Sequence, residues 1–271
     1  MAILQVNFLS RALFRTVPAY VVLPTDRIPA EEDKPFKTLY LLHGLLGNYT
    51  DWVHNTQIQR LAEDRRLAVV MPSGDNSFYV DNSVSKNGEF IGRELVELTR
   101  RMFPLSHKRE DTFIAGLSMG GFGALRNGLC YPETFGYIAG LSSAVHLFET
   151  PLDAPGRNMG SEDASFSVMT EAMKTDKNPR VALQKLLAAR EKDPSVPLPK
   201  IYLACGTEDG LLGPNRAYRD MFREAGLDLT YEEGPGNHNW EFWDEYIRHV
   251  LDWLPLEKAK AGLSSGNVVK E

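Results

Sequence analysis

The sequence predicts a doubly wound α/β sheet, and three observations carry the prediction. Short, continuous apolar runs recur at residues 38–42, 67–71, 112–115, 137–141 and 200–205, as expected of strands covered on both faces. Segments with apolar residues at helical spacing lie between these runs. The third observation is a strand-to-helix junction, Gly116-Leu117-Ser118-Met119-Gly120, which closes one apolar run and opens a helical stretch. Strands that alternate with helices build a mostly parallel central sheet with helices on both faces.

Taken in order, the chain opens with two β-rich runs, residues 2–8 and residues 19–23, the second closed by Pro24. An antiparallel pair at the N-terminal edge of the sheet is the expected arrangement. Residues 25–36 are charged and punctuated by proline, which reads as a surface loop. After the strand at 38–42, the spacing of Ile58, Leu61 and Ala62 predicts a helix over 56–65. The strand at 67–71 stops at Pro72, and the polar loop 75–87 is expected to border the entrance to a site. Phe90, Ile91, Leu95, Leu98 and Met102 mark an amphipathic helix. The strand at 112–115 feeds the junction, a helix at 122–129 leaves it, and a strand at 137–141 follows. Residues 144–180 hold Pro151, Pro155, Gly156, Gly160 and Pro179 and are too long for a plain connection, so a small cap insertion is expected there. A helix at 181–190, a strand at 200–205, a helix at 214–225 ended by Gly226, a strand at 227–232 and a helix at 240–254 complete the pattern. Residues 258–271 are small, polar and charged, the composition of a loose tail. No repeat or linker divides the chain, so residues 1–257 are expected to form a single domain.

The net charge of -6 disfavours nucleic acid and anionic membrane as partners. The N-terminal residues Met1 to Phe8 carry no basic region and no long apolar run, so no signal peptide is expected, and no stretch approaches the length of a transmembrane helix. The two cysteines, Cys130 and Cys205, lie far apart without a CxxC, which fits buried free thiols in a reducing compartment. A cytoplasmic location is the expectation.

The chemistry starts at Gly116-x-Ser118-x-Gly120. A serine exposed at the tip of a strand-to-helix turn must take a positive φ, and the residues two before and two after it must be small because they approach each other closely. The helix that follows points free N–H groups at its surroundings. Such a serine is a poor nucleophile until a base, itself oriented by a third group, accepts its proton. Two later loops can supply these groups. Gly206-Thr207-Glu208-Asp209-Gly210 follows a buried strand and offers two acids, with Asp209 preferred for its later place beside a glycine and Glu208 as the alternative. Gly234-Pro235-Gly236-Asn237-His238-Asn239-Trp240 offers His238 as the base. His54, His107, His146 and His249 lack such a context and read as surface or packing residues. The oxyanion of a tetrahedral intermediate needs donors. One expected donor is the amide of Met119; the other, the amide of Leu45, lies in the loop His43-Gly44-Leu45-Leu46-Gly47 after the strand at 38–42. Trp52, Tyr79 and Trp240 are candidates for substrate contact, with Phe78, Phe148, Phe166 and Leu211 as further aromatic or apolar groups near the expected pocket.

The segments His43 to Gly47 with Trp52, Gly116 to Leu125, Gly206 to Asp209 and Asn237 to Trp240 together resemble the esterase D family of α/β-hydrolases. Within that family the chain is most similar to the bacterial tributyrin esterases, from about residue 8 to 254. The resemblance implies the α/β-hydrolase fold, a Ser118–His238–Asp209 triad and an oxyanion hole from the Leu45 and Met119 amides. It also implies hydrolysis of small carboxylic esters without metal or organic cofactor, and frequently a homo-oligomer. The wider family includes S-formylglutathione hydrolases, feruloyl and acetylxylan esterases, and mycolyltransferases.

Overall fold

The structure, a computed structural model, describes residues 2–25, 34–148 and 175–257. Most of the expected cap, most of the loop 25–36 and the expected tail 258–271 lie outside the described residues. The strands are β1 (Ala2–Ser10), β2 (Arg15–Leu23), β3 (Lys37–Leu42), β4 (Leu67–Pro72), β5 (Thr112–Leu117), β6 (Tyr137–Leu141), β7 (Lys200–Gly206) and β8 (Leu229–Gly234). They form one sheet in the order β1-β2-β4-β3-β5-β6-β7-β8. The β1–β2 and β2–β4 pairings are antiparallel, and every pairing from β4 through β8 is parallel.

In chain order the helices are α1 (Asp51–Asn55), α2 (Ile58–Asp64), α3 (Asn87–Glu89), α4 (Leu95–Met102), α5 (Met119–Cys130), α6 (Pro179–Lys192), α7 (Leu212–Glu224) and α8 (Trp240–Trp253). The period-2 alternation of the strands sorts them into two layers. Leu39, Leu41, Val69, Phe113, Ala115 and Ala204 pack with Trp52 of α1, Ile58 and Leu61 of α2, and Phe242, Ile247 and Val250 of α8. Tyr40, Leu42, Val70, Ile114, Ile138 and Leu203 face the opposite layer, with Leu95 of α4, Phe122 and Leu125 of α5, Leu183 of α6 and Phe222 of α7. The sheet is therefore covered on both sides, which is why its central strands carry no polar alternation. Because the strands from β4 to β8 run parallel, all their C-terminal ends open on one edge, and the loops leaving that edge can converge.

Three elements differ from the sequence reading. β2 begins at Arg15 and contains Pro18, which lies one residue outside the β2–β4 register, where a missing N–H is tolerated. The helical pattern over 90–102 starts with a π-helical turn, Phe90–Glu94, placed between α3 and α4. The turn carries Glu94 under the β1–β2 hairpin, where its carboxylate accepts hydrogen bonds from the Ser10 hydroxyl and from the amides of Arg11 (2.7 Å) and Ala12 (3.3 Å). Beyond the turn the buried face is Leu95, Val96 and Thr99, and Met102, expected on the apolar face, is 46% exposed. Finally, the loop 75–87 is not a purely polar rim, because Phe78, Tyr79 and Val80 are all buried within it.

Candidate active site

The strand-to-helix junction falls at the centre of the open edge. Ser118 caps α5 with φ 52° and ψ −116°, a conformation costly for a residue with a Cβ. Its neighbours leave no space: a Cβ on Gly116 would lie 2.4 Å from the Gly120 carbonyl carbon, and one on Gly120 would lie 2.4 Å from the Leu42 oxygen. The Ser118 amide is held by the Leu141 carbonyl of β6 at 2.9 Å. The strained turn is thus fixed between two neighbouring strands, with the serine hydroxyl at its tip.

A hydrogen-bonded line runs from that hydroxyl. His238 Nε2 lies 3.0 Å from Ser118 Oγ, and His238 Nδ1 lies 2.9 Å from Asp209 Oδ2. A carboxylate can only accept, so Nδ1 carries the proton and Nε2 presents its lone pair to the serine. Asp209 follows β7 and His238 follows β8, as Ser118 follows β5. The other oxygen of Asp209 accepts from the Leu211 amide at 2.8 Å. Burial pushes the Asp209 carboxyl up, but its hydrogen bonds from His238, Leu211 and Ser142 outweigh burial and hold it below the usual carboxylate value. Glu208 has a different task. Its carboxylate accepts the Gly236 amide at 2.5 Å, and its own amide donates back to the Gly236 carbonyl at 3.0 Å. Glu208 therefore pins the loop that carries His238 and makes no bond to the imidazole itself.

The loop after β3 is built on His43, which is almost fully buried. Its Nε2 accepts from the Gly74 amide at 2.9 Å, so its Nδ1 is the protonated nitrogen and donates to the Gly44 carbonyl at 2.7 Å. Burial lowers the His43 pKa and keeps this ring neutral. The His43 carbonyl in turn accepts the Tyr79 hydroxyl at 3.0 Å. Leu45 stands two residues after His43, and the Leu46 amide is held by the Asn76 side chain at 2.8 Å. Among the described residues neither the Leu45 nor the Met119 amide has a hydrogen-bond partner. Met119 opens α5, where N–H groups point out of the helix and favour negative charge.

Residues 10–254 match the family model named Esterase. The chain belongs to the Esterase family. An acetyl esterase of Caldicellulosiruptor saccharolyticus is 40% identical over 264 residues, covering 94% of this chain and 98% of that protein. Among solved structures, fluorophosphonate-binding serine hydrolase F of Staphylococcus aureus superposes with a TM-score of 0.79 at 28% identity, covering 93% of this chain and 98% of that one. An S-formylglutathione hydrolase of Staphylococcus aureus gives a TM-score of 0.79 at 30% identity with the same coverage. The fold is that of the α/β-hydrolases, and this esterase is a carboxylic ester hydrolase. Among its described residues no helix is long and apolar enough to cross a membrane.

The structure of the esterase corrects two expected substrate contacts. Trp52 is 1% exposed and donates its indole N–H to the Leu42 carbonyl at 3.0 Å, so it braces the end of β3. Tyr79 is 0% exposed and wedges between the His43 carbonyl and Gly123 of α5. An aromatic residue in a loop can line a pocket or anchor the loop to the core, and each of these rings finds a buried partner for its single polar atom. Phe78 is buried as well. Trp240 differs: it is half-buried and stands edge-on to both Trp52 and Trp243. The Phe148 side chain and all of Phe166 lie outside the described residues. Sequence reasoning passed over the structural roles of His43, Ser142 and Trp243. The one signal available was position, since His43 and Ser142 each stand directly after a buried strand.

Proposed function

We propose that this esterase is a serine carboxylesterase for short-chain acyl esters, of the esterase D and tributyrin esterase type, with Ser118, His238 and Asp209 as its catalytic residues. The reading rests above all on the continuous hydrogen-bonded line from Ser118 Oγ through His238 to Asp209. His238 Nε2 takes the Ser118 proton as Oγ attacks the ester carbonyl carbon. The carbonyl oxygen becomes an oxyanion facing the amides of Leu45 and Met119, where fixed donors and the N-terminus of α5 favour charge that develops only in the transition state. The imidazolium then returns its proton to the departing alkoxide, leaving an acyl group on Ser118 and a free alcohol. Water, deprotonated by the same His238 nitrogen, attacks the acyl-enzyme, and the acid leaves as Oγ recovers its proton. Asp209 fixes the tautomer and stabilises the imidazolium throughout. No metal or organic cofactor enters these steps.

The 40% identity to an acetyl esterase supports a small acyl group, and Trp240, half-buried beside Trp243, is the aromatic group we assign to contact it. A second reading, hydrolysis of a glutathione thioester, is favoured by the 30% identity to an S-formylglutathione hydrolase. Comparing kcat/KM on S-formylglutathione with kcat/KM on p-nitrophenyl acetate separates the two. The free thiols Cys130 and Cys205 fit a reducing compartment such as the cytoplasm. Ser118→Ala tests the mechanism: kcat on p-nitrophenyl acetate and butyrate is expected to fall by at least about 10⁴-fold, and labelling by a fluorophosphonate probe to vanish, with the melting transition retained. A folded Ser118→Ala protein that still turns over the ester refutes it.

A further inference from the structure

Asp209 has a support that the reaction as described does not use. Ser142 follows directly on β6, is 0% exposed and adopts φ 46°. Its amide is tied to the Ala204 carbonyl of β7 at 2.8 Å, so the strained turn is locked between two strands. A glycine would take this conformation with less strain, so what the serine adds is its hydroxyl. That hydroxyl accepts the indole N–H of Trp243 at 3.2 Å. The same indole stands edge-on to the His238 ring, with centroids 4.9 Å apart and planes at 87°.

An indole N–H can only donate, so it turns the Ser142 proton away from Trp243. The two groups whose ionisation the Ser142 hydroxyl influences are the Asp209 carboxylate and the Cys205 thiol. Burial pushes the Cys205 thiol up to about 12, so it is a neutral and weak acceptor, and the carboxylate takes the proton. We propose that Ser142 and Trp243 are positioning residues of the catalytic line. Trp243 fixes the Ser142 hydroxyl as a donor to Asp209 and at the same time braces the imidazole that Asp209 orients. With the Leu211 amide on one oxygen and His238 on the other, the added donor keeps the carboxylate ionised and in plane with the ring. The inference rests on the triad reading given above.

The test is a set of variants, Ser142→Gly, Ser142→Ala and Trp243→Phe, each made alone and in an Asp209→Asn background. Acylation by p-nitrophenyl acetate is followed in the steady state for the single variants, and at enzyme excess in the slow background. Each single variant is expected to lower kcat about 10-fold, the effect of losing one hydrogen bond to a charged group, while KM changes by less than about 2-fold. Ser142→Gly relieves the positive φ but leaves the Trp243 indole N–H without its acceptor, so the two effects offset and its melting transition is expected within a few degrees of the parent's. In the Asp209→Asn background the same changes are expected to have no further effect, because the group they act through is already neutral. A merely structural role would lower the rate equally in both backgrounds, and that result overturns the proposal. So does wild-type kcat in folded Ser142→Gly and Trp243→Phe. If Ser142→Gly fails to fold, Trp243→Phe decides, since it keeps a ring against His238 and deletes only the donor. Full activity in Asp209→Asn alone would refute the triad reading itself, a result distinguishable from failure of this inference.

Discussion

Tyr79→Phe removes a single oxygen atom from the interior, and the structure says what that atom holds. The Tyr79 hydroxyl donates to the His43 carbonyl at 3.0 Å, and both residues are buried. Burial raises the phenol well above its usual 10.0, so it remains a donor at any pH at which the fold survives. No other hydrogen bond to that carbonyl exists among the described residues. The variant therefore leaves one buried carbonyl unsatisfied, at a cost of about 1–3 kcal/mol. In a chain of this size each kcal/mol corresponds to about 2–4 °C, so Tm is expected to fall by about 4–8 °C for a loss near the middle of that range.

The kinetic effect follows from what comes next in the chain. Two residues after His43 stands the Leu45 amide, a proposed oxyanion donor. Deleting such a donor outright costs about 10²–10³-fold in kcat, and loosening the carbonyl that anchors its loop should cost a fraction of that, about 3- to 30-fold. The donor acts on charge that develops in the transition state, so KM should hardly move. Thermal unfolding and steady-state hydrolysis of p-nitrophenyl acetate measure the two effects on one preparation. A Tm within about 1 °C of the parent together with unchanged kcat refutes the reasoning. A lowered Tm with unchanged kcat would keep the packing argument and break the link to the oxyanion loop.

Asp209→Asn is expected to lower kcat by about 10⁴-fold, because an amide can hold His238 in the wrong tautomer, whereas Glu208→Gln should cost less than about 10-fold because Glu208 only pins the Gly236 loop. The reverse ranking in the same assay would overturn the assignment. Glu233 is held down to about 2 by its hydrogen bonds from Arg216 and Tyr231, below its ordinary 4.5, so the folded state resists its protonation more than the unfolded state does. Its stabilisation is complete above pH 4.5 and disappears as pH falls from 4.5 toward about 2. The Tm difference between wild type and Glu233→Gln should follow that window and stay below about 3 °C, since the ion pair is partly exposed. A difference that persists unchanged at pH 2.5 contradicts the linkage.

What could be read in the sequence was whatever short-range chemistry fixes. The Gly116-x-Ser118-x-Gly120 pattern specifies its own strained geometry, and φ 52° at Ser118 with the 2.4 Å approach at Gly120 is the crowding that the two glycines imply. The buried strands were legible because both faces of each are apolar. The aromatic residues were not, because the sequence shows a ring and not what its polar atom meets. Trp52 reaches back ten residues to Leu42, and Tyr79 reaches thirty-six to His43. Long-range partners of this kind are made by the fold, and they turned two expected pocket residues into braces. Asp209 is preferred over Glu208 in the sequence only for its later place beside a glycine, and the physical ground for the choice is again long-range. Only the position of Gly236, supplied by β8, decides which of two adjacent carboxylates faces the imidazole.

The distribution of backbone strain argues that the open edge of the sheet is where the fold does its work. Eight described non-glycine residues have positive φ: Phe14, Leu46, Arg66, Asp75, Phe78, Tyr79, Ser118 and Ser142. Phe14 and Arg66 lie elsewhere, in the β1–β2 turn and ahead of β4. The other six follow the C-terminal ends of β3, β4, β5 and β6, four strands adjacent in the sheet. Such conformations persist only where the surroundings over-determine them. Here they are held by bonds from one loop to the next: Leu46 to Asn76, Tyr79 to His43, Ser118 to Leu141, Ser142 to Ala204. Each strained turn is thus fastened to the strand or loop beside it. A change that frees one turn should be felt at Ser118, even where the altered side chain never meets the ester.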